Sequence, residues 1–114
     1  MHELSICQAL VGQVEDLARD NQAIAVRTIW LKVGPLSGVE IPLLEHAYPL
    51  AAAGTVAESA ELLIEPMPVK VRCKTCGVES EASANRLLCG ECGDYHTELV
   101  SGDEMVLARM EFDT

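Results

Sequence analysis

Two short cysteine pairs, Cys73-Lys74-Thr75-Cys76 and Cys89-Gly90-Glu91-Cys92, stand twelve residues apart. Nothing else in the chain constrains its fold as strongly. A CxxC turn lets two sulfurs converge on one ion, and Zn²⁺ takes four tetrahedral thiolates at about 2.3 Å. Gly77 and Gly93 follow the pairs directly, where a tight knuckle often needs φ > 0. The spacing predicts a zinc ribbon, with Cys73, Cys76, Cys89 and Cys92 as ligands of a structural zinc. Two disulfides or a redox CxxC are the rival readings. A redox motif needs one pair at the start of a helix; here there are two, in a β-like context.

A chain of 114 residues has room for one domain, or for a small domain plus a ribbon. No stretch is apolar for long enough to cross a membrane. Met1-His2-Glu3-Leu4 lacks the basic start of a signal peptide. A cytoplasmic protein is expected, since thiols there stay reduced and bind metal. The formal net charge is −10, and four thiolates with one Zn²⁺ would take it to about −12. Residues 69–100 hold four Lys/Arg against five Asp/Glu. Nucleic-acid binding needs cations that displace counterions from phosphates, so the charge opposes a nucleic-acid partner.

Residues 3–20 read as an amphipathic helix, with Cys7, Leu10, Val11, Val14, Leu17 and Ala18 on its apolar stripe. On that stripe Cys7 reads as a small buried hydrophobe. Residues 24–33 alternate as a strand, with Ile29, Leu31 and Val33 on one face and Thr28, Trp30 and Lys32 on the other. A second helix is expected from Glu40 to Ala53, with Pro42 in its first turn, a kink or break at Pro49, and Gly54 as its C-cap. Thr55 to Glu58 looks like a capping box opening one short turn. Strands follow at 61–65, 69–72, 78–82, 96–100 and 105–112. The last should present Val106, Ala108 and Met110 on one face and pair with strands that precede the ribbon. The expected fold class is α+β: two helices packed on a small β-sheet, residues 1–68 and 101–114, with the ribbon inserted at 69–100.

Outside the cysteines, the most unusual polar group is the N-terminus. The Met1 amine, the deprotonated His2 amide and His2 Nδ1 can chelate one ion through three coplanar nitrogens. That geometry suits Ni²⁺ or Cu²⁺. Glu3, or a carboxylate from elsewhere, can fill the fourth position. The bland alternative is a histidine that only decorates the helix start. His46 reads as solvated or capping. His96 follows the second knuckle, where four cysteines already fill the zinc site. Glu58, Glu61 and Glu65 read as a solvated edge. No phosphate loop, nucleophile elbow or Ser/His/Asp set is present.

Met1-His2-Glu3-Leu4-Ser5, Val33-Gly34-Pro35-Leu36-Ser37 and the two-CxxC ribbon, in that order and spacing, resemble the HypA/HybF family of nickel metallochaperones for [NiFe]-hydrogenase maturation. Gly54-Thr55-Val56-Ala57 and Gly102-Asp103-Glu104-Met105 are similar too. The resemblance implies a nickel-binding α+β domain beside the zinc ribbon. Nickel would be held by Met1, His2 and Glu3, with Glu40 after the central loop as a further ligand. It implies no enzymatic activity, a HypB-type GTPase partner, and delivery to the hydrogenase large subunit, in some relatives also to urease. No nucleic acid or membrane is implied, and the chain would be a monomer or weak homodimer. Some relatives carry a histidine after each CxxC; Gly77 and Gly93 stand there instead. The rivals are a zinc-ribbon nucleic-acid-binding or regulatory protein and a thiol oxidoreductase.

Overall fold

The computed structural model describes residues 2–114, so the expectation placed on the Met1 amine lies outside the described residues. In chain order the elements are α1 (His2–Asp20), β1 (Ala25–Val33), α2 (Ile41–Ala52), β2 (Glu61–Pro66), β3 (Val69–Cys73), β4 (Glu79–Ala82), β5 (Thr97–Ser101) and β6 (Met105–Asp113). They divide into two units. One holds the chain up to Leu31, with Glu40–Glu65 and Val106–Thr114; the other holds Lys32–Val39 and Pro66–Met105.

In the first unit, α1 buries Cys7, Leu10, Val11, Val14 and Ala18. This three- and four-residue spacing keeps one helix face apolar. Leu17, expected on the same stripe, is 38% exposed. It sits at the stripe's margin, beside a groove lined by Leu107, Met110 and Phe112. The Asn21 side chain donates to the Leu17 carbonyl and closes the helix. Packed against α1, α2 buries Leu44, Tyr48 and Ala52. The Cys7 thiol lies 3.4 Å from the Leu44 carbonyl oxygen, so Cys7 is the small buried group its position predicted. Burial pushes the Tyr48 phenol up to about 12, and its hydroxyl donates to the Ala57 carbonyl at 2.9 Å.

Two local expectations change here, the break at Pro49 and the detail of the box after Gly54. The helix runs through Pro49 to Ala52. Pro49 lies in the last turn, where the missing N–H removes one bond and few residues remain to be disturbed. Gly54, at φ +77, carries the chain out. The short turn expected after Thr55 forms, and Thr55 Oγ1 accepts from the Ala57 N–H at 3.1 Å, but Glu58 reaches back past the Thr55 N–H that a capping box would use. Glu58 accepts from the Gly54 N–H at 2.5 Å, and the Thr55 hydroxyl donates to the Ala52 carbonyl.

β1 is the central strand of the sheet β2-β1-β6. Ile29, Leu31 and Val33 are buried, as their alternation predicted. Trp30 is half-buried on the other face, with the Arg109 guanidinium 4.6 Å from its ring centroid. The last strand differs from expectation. Met105, Leu107, Met110 and Phe112 are its half-buried residues, whereas Val106 and Ala108 are exposed. Ala108 and Arg109 are exposed in succession, so the alternation slips where Arg109 covers Trp30.

The second unit contains the antiparallel sheet β4-β3-β5. Val69, Val71 and Cys73 alternate inward along β3. The loop after β1 is tied to the turn before β6. Gly34 N–H donates to the Glu104 carbonyl and Leu36 N–H to the Gly102 carbonyl, both at 2.8 Å. A Cβ on Gly34 would meet the Gly102 carbonyl oxygen at 2.0 Å. Two sequence phrases that look separate are thus one backbone contact, which only glycine allows.

Leu44 is fully buried, so Leu44→Ala should lower unfolding free energy by about 2–5 kcal/mol through lost transfer energy and the cavity left behind. Urea unfolding followed by Trp30 fluorescence measures this. A loss below about 1 kcal/mol would mean that the helix pair is not the packed core described.

Candidate metal centre

Each cysteine pair sits on a knuckle built the same way. In the first, the Thr75 and Cys76 N–H groups both point at Cys73 Sγ from 3.4 Å, and Gly77 N–H donates to the Cys73 carbonyl at 2.9 Å. In the second, the Glu91 and Cys92 N–H groups point at Cys89 Sγ from 3.4 and 3.5 Å, and Gly93 N–H donates to the Cys89 carbonyl at 3.0 Å. Both turns close through a residue in the left-handed region, Gly77 at φ +78 and Gly93 at φ +75. A side chain there would be strained.

The two knuckles face each other. Cys73 Sγ lies 3.6 Å from Cys92 Sγ, and Cys76 Sγ lies 3.5 Å from Cys89 Sγ. All four sulfurs fall within 4.8 Å of one another. A tetrahedron with Zn–S bonds of about 2.3 Å has edges of about 3.8 Å, so the spacing fits one zinc ion. It does not fit disulfides, which need about 2.05 Å; all five cysteines are free. Neither pair opens a helix, which removes the usual setting of a redox CxxC.

The backbone N–H groups also prepare the sulfurs for metal. Those of Cys92 and Glu91 bring the Cys89 thiol down to about 6, and those of Cys76 and Thr75 lower Cys73. Cys76 and Cys92 are raised, even though the Val78 and Asp94 amides pull them down, because each faces a sulfur of the opposite knuckle. A divalent ion at the centre would favour the thiolate form of all four sulfurs.

Asp94 links the knuckles, and its role was not read from the sequence. One carboxylate oxygen accepts from the Thr75 hydroxyl of the first knuckle. The other faces His96 Nδ1 at 2.9 Å and accepts from the His96 N–H at 3.2 Å. Donation from Thr75 first, then from His96, holds the carboxyl at about 2. His96 therefore acts one layer outside the sulfurs, through Asp94. The signal available was the Asp-x-His spacing directly after Gly93, the pattern of an Asx turn. Asp94→Ala should leave the four cysteines able to bind but speed zinc loss to a chelator by about tenfold or more, as outer-shell changes do. Colorimetric chelator kinetics measures this. Equal release rates would show that the link does not hold the knuckles together.

The other candidate ligands lie in the first unit. His2 is exposed and Glu3 half-buried, both in the first turn of α1. Glu40 is exposed at the N-cap of α2, with extended backbone and no side-chain capping bond. His46 is exposed on α2, and it shares a small pocket with Glu3. Among the described residues, the four cysteines are the one set of three or more His, Cys, Asp or Glu whose ligand atoms lie within 4.8 Å of one another.

The family model described as hydrogenase/urease nickel incorporation, metallochaperone, hypA matches residues 1–112. The hydrogenase maturation factor HypA of Nitrosospira multiformis is 53% identical over 114 residues, covering 100% of this chain and 99% of that protein. The protein of the same name from Aquifex aeolicus is 44% identical over 113 residues, covering 99% and 98%. Among solved structures, the solution structure of the Ni metallochaperone HypA from Helicobacter pylori shares the fold at TM-score 0.75 and 24% identity, covering 97% of each chain. A solution structure titled HypA protein matches at TM-score 0.76 and 25% identity, covering 98% and 96%.

Proposed function

We propose, from the premise that this chain belongs to the HypA family, that it carries nickel for hydrogenase maturation and keeps zinc for its own structure. The observation that carries the reading is the contrast between its two sets of ligands. The four sulfurs lie within 4.8 Å of one another and supply all four positions of a tetrahedral ion, the ligand count of a structural zinc site rather than a catalytic one. His2 is exposed and outside the packed core, where an ion can enter and leave.

In this reading nickel is cargo. The Met1 amine, the His2 amide and His2 Nδ1 grip it, with Glu3 and Glu40 as the carboxylates about it. Imidazole and amine nitrogens suit nickel, while thiolates at the other site select zinc. The α+β unit is the nickel domain and the ribbon the zinc domain. The chain performs no catalysis itself. A HypB-type GTPase is its partner and the [NiFe]-hydrogenase large subunit its recipient, with urease a second client. The setting is the cytoplasm, where the thiols stay reduced, and the chain acts as a monomer or weak dimer.

The experiment is calorimetric titration of zinc-loaded protein with nickel, comparing the native chain, His2→Ala, and a chain extended by two residues ahead of Met1. Tight binding should be lost in His2→Ala, with fold and zinc content unchanged. The extension should also weaken binding, because it removes the free amine from the chelate. Protons compete with nickel for all three nitrogens, so affinity should fall as pH is lowered. Native affinity in His2→Ala would remove the site from the N-terminus. Native affinity in the extended chain would remove the amine from it.

A further inference from the structure

α2 is apolar on more sides than its neighbours cover. Leu44, Tyr48 and Ala52 are its buried residues. Of its twelve residues, only Glu45 and His46 carry polar side chains besides the Tyr48 hydroxyl. A helix that is apolar all round belongs inside a structure, yet Leu43 is 48% exposed and Leu50 70%. Leu43, Ala47 and Leu50 recur at four- and three-residue steps, so they form a second stripe along one side of α2. Leu4 of α1 joins that stripe. Together the two helices line an open hollow of about 220 Å³, with Glu3 and His46 as its polar residues.

Single exposed leucines are ordinary; a row of them beside a hollow marks a docking surface. The spacing suits a third helix laid along the first two, with its own apolar residues at i, i+3, i+4 and i+7. The charges beside the row say what flanks that helix's seam. Glu3 lines the hollow, and Glu40 precedes Leu43 by one turn, at the head of the row. Residues 1–18 and 33–69 contain no lysine or arginine, so α2 and the start of α1 bring neither to meet these two carboxylates. A second copy docked through the same patch would bring two acidic rims together, which like-charge repulsion opposes. A basic rim on a different protein is the complement.

We propose that the α1–α2 face receives an amphipathic helix of a partner protein, apolar along its seam and flanked by lysine or arginine. One apolar side chain of that seam fills the hollow, and a basic group meets Glu3. None of these observations involves a metal, so the surface stands whether or not the chain carries nickel. Glu3 directly follows His2, so a partner seated there lies beside the N-terminus.

The test uses the zinc-loaded full chain and two synthetic helical peptides of about 18 residues, long enough to hold a helix. Both carry leucines at i, i+3, i+4 and i+7. One has lysines flanking the leucines and the other glutamates. Affinity is read by fluorescence anisotropy and the place of binding by backbone amide NMR. The lysine peptide should bind and shift the amides of Leu4 and of residues 43–50. The glutamate peptide should bind about tenfold more weakly or worse. Leu43→Ser with Leu50→Ser should weaken the lysine peptide about tenfold or more, through lost apolar burial. Both positions are exposed, so the circular dichroism of that variant should match the native chain. Leu63→Ser, at an exposed leucine of β2, should bind as the native chain does. Failure of the lysine peptide to bind, equal affinity for the two peptides, or native affinity in the double serine variant overturns the proposal. So does a sedimentation mass that doubles with concentration in the native chain and stays single in the serine variant, which makes the occupant a second copy.

Discussion

Four sulfurs meeting at one point govern the second unit. Apart from Cys73 and Cys89, its buried apolar side chains are Val33, Val69 and Val71. Three valines cannot offset the conformational entropy of ordering so many residues. Metal binding can, because binding free energy at a site absent from the unfolded chain is folding free energy. The details follow from this need. Glycines close the knuckles, amide N–H groups point at Cys73 and Cys89, and Asp94 ties the first knuckle to the second. The α+β unit rests on a different force, burial of one face of α1 and one of α2 with the inner face of β1.

Separating the two forces allows a division of labour. A metal that holds a fold together must stay, so its ligands are soft, four in number and closed around it. A metal that is cargo must leave, so its ligands are better placed on an exposed terminus that the core does not need. His2 and Glu3 precede Cys7, the first fully buried residue of α1. Changes there leave the buried face of α1 in place. The acidic surface, at a formal net charge of −10, favours approach of cations and disfavours polyanionic partners.

Much of this was legible in the sequence, for physical reasons. The CxxC spacing states a coordination geometry outright, so the metal centre could be read before any strand was placed. The α1 stripe and the β1 alternation are periodic over long segments, and both formed as read. What failed was local and depended on tertiary context. Pro49 looked like a possible end of the helix, but in the last turn the helix continues through it to Ala52. Glu58 looked like the far half of a capping box, yet it reaches the Gly54 amide. The inward face of β6 slipped at Arg109, which turns to cover Trp30 and which alternation cannot anticipate. Asp94 was passed over because an acid beside a knuckle looks solvated until Thr75 is seen on the other side. The contact of Gly34 with Gly102 joins residues 68 positions apart, beyond the reach of any local pattern. That Glu3 and His46 line one pocket from two helices was hidden for the same reason.

The central claim is that two metals occupy chemically distinct sites in one small chain, zinc on sulfur and nickel on nitrogen and oxygen. X-ray absorption at both metal edges tests it most directly, on protein loaded with one equivalent each of zinc and nickel. The account predicts a zinc shell of sulfur alone at about 2.3 Å and a nickel shell of nitrogen and oxygen without sulfur. Sulfur in the nickel shell, or a zinc shell with nitrogen replacing sulfur, would contradict it.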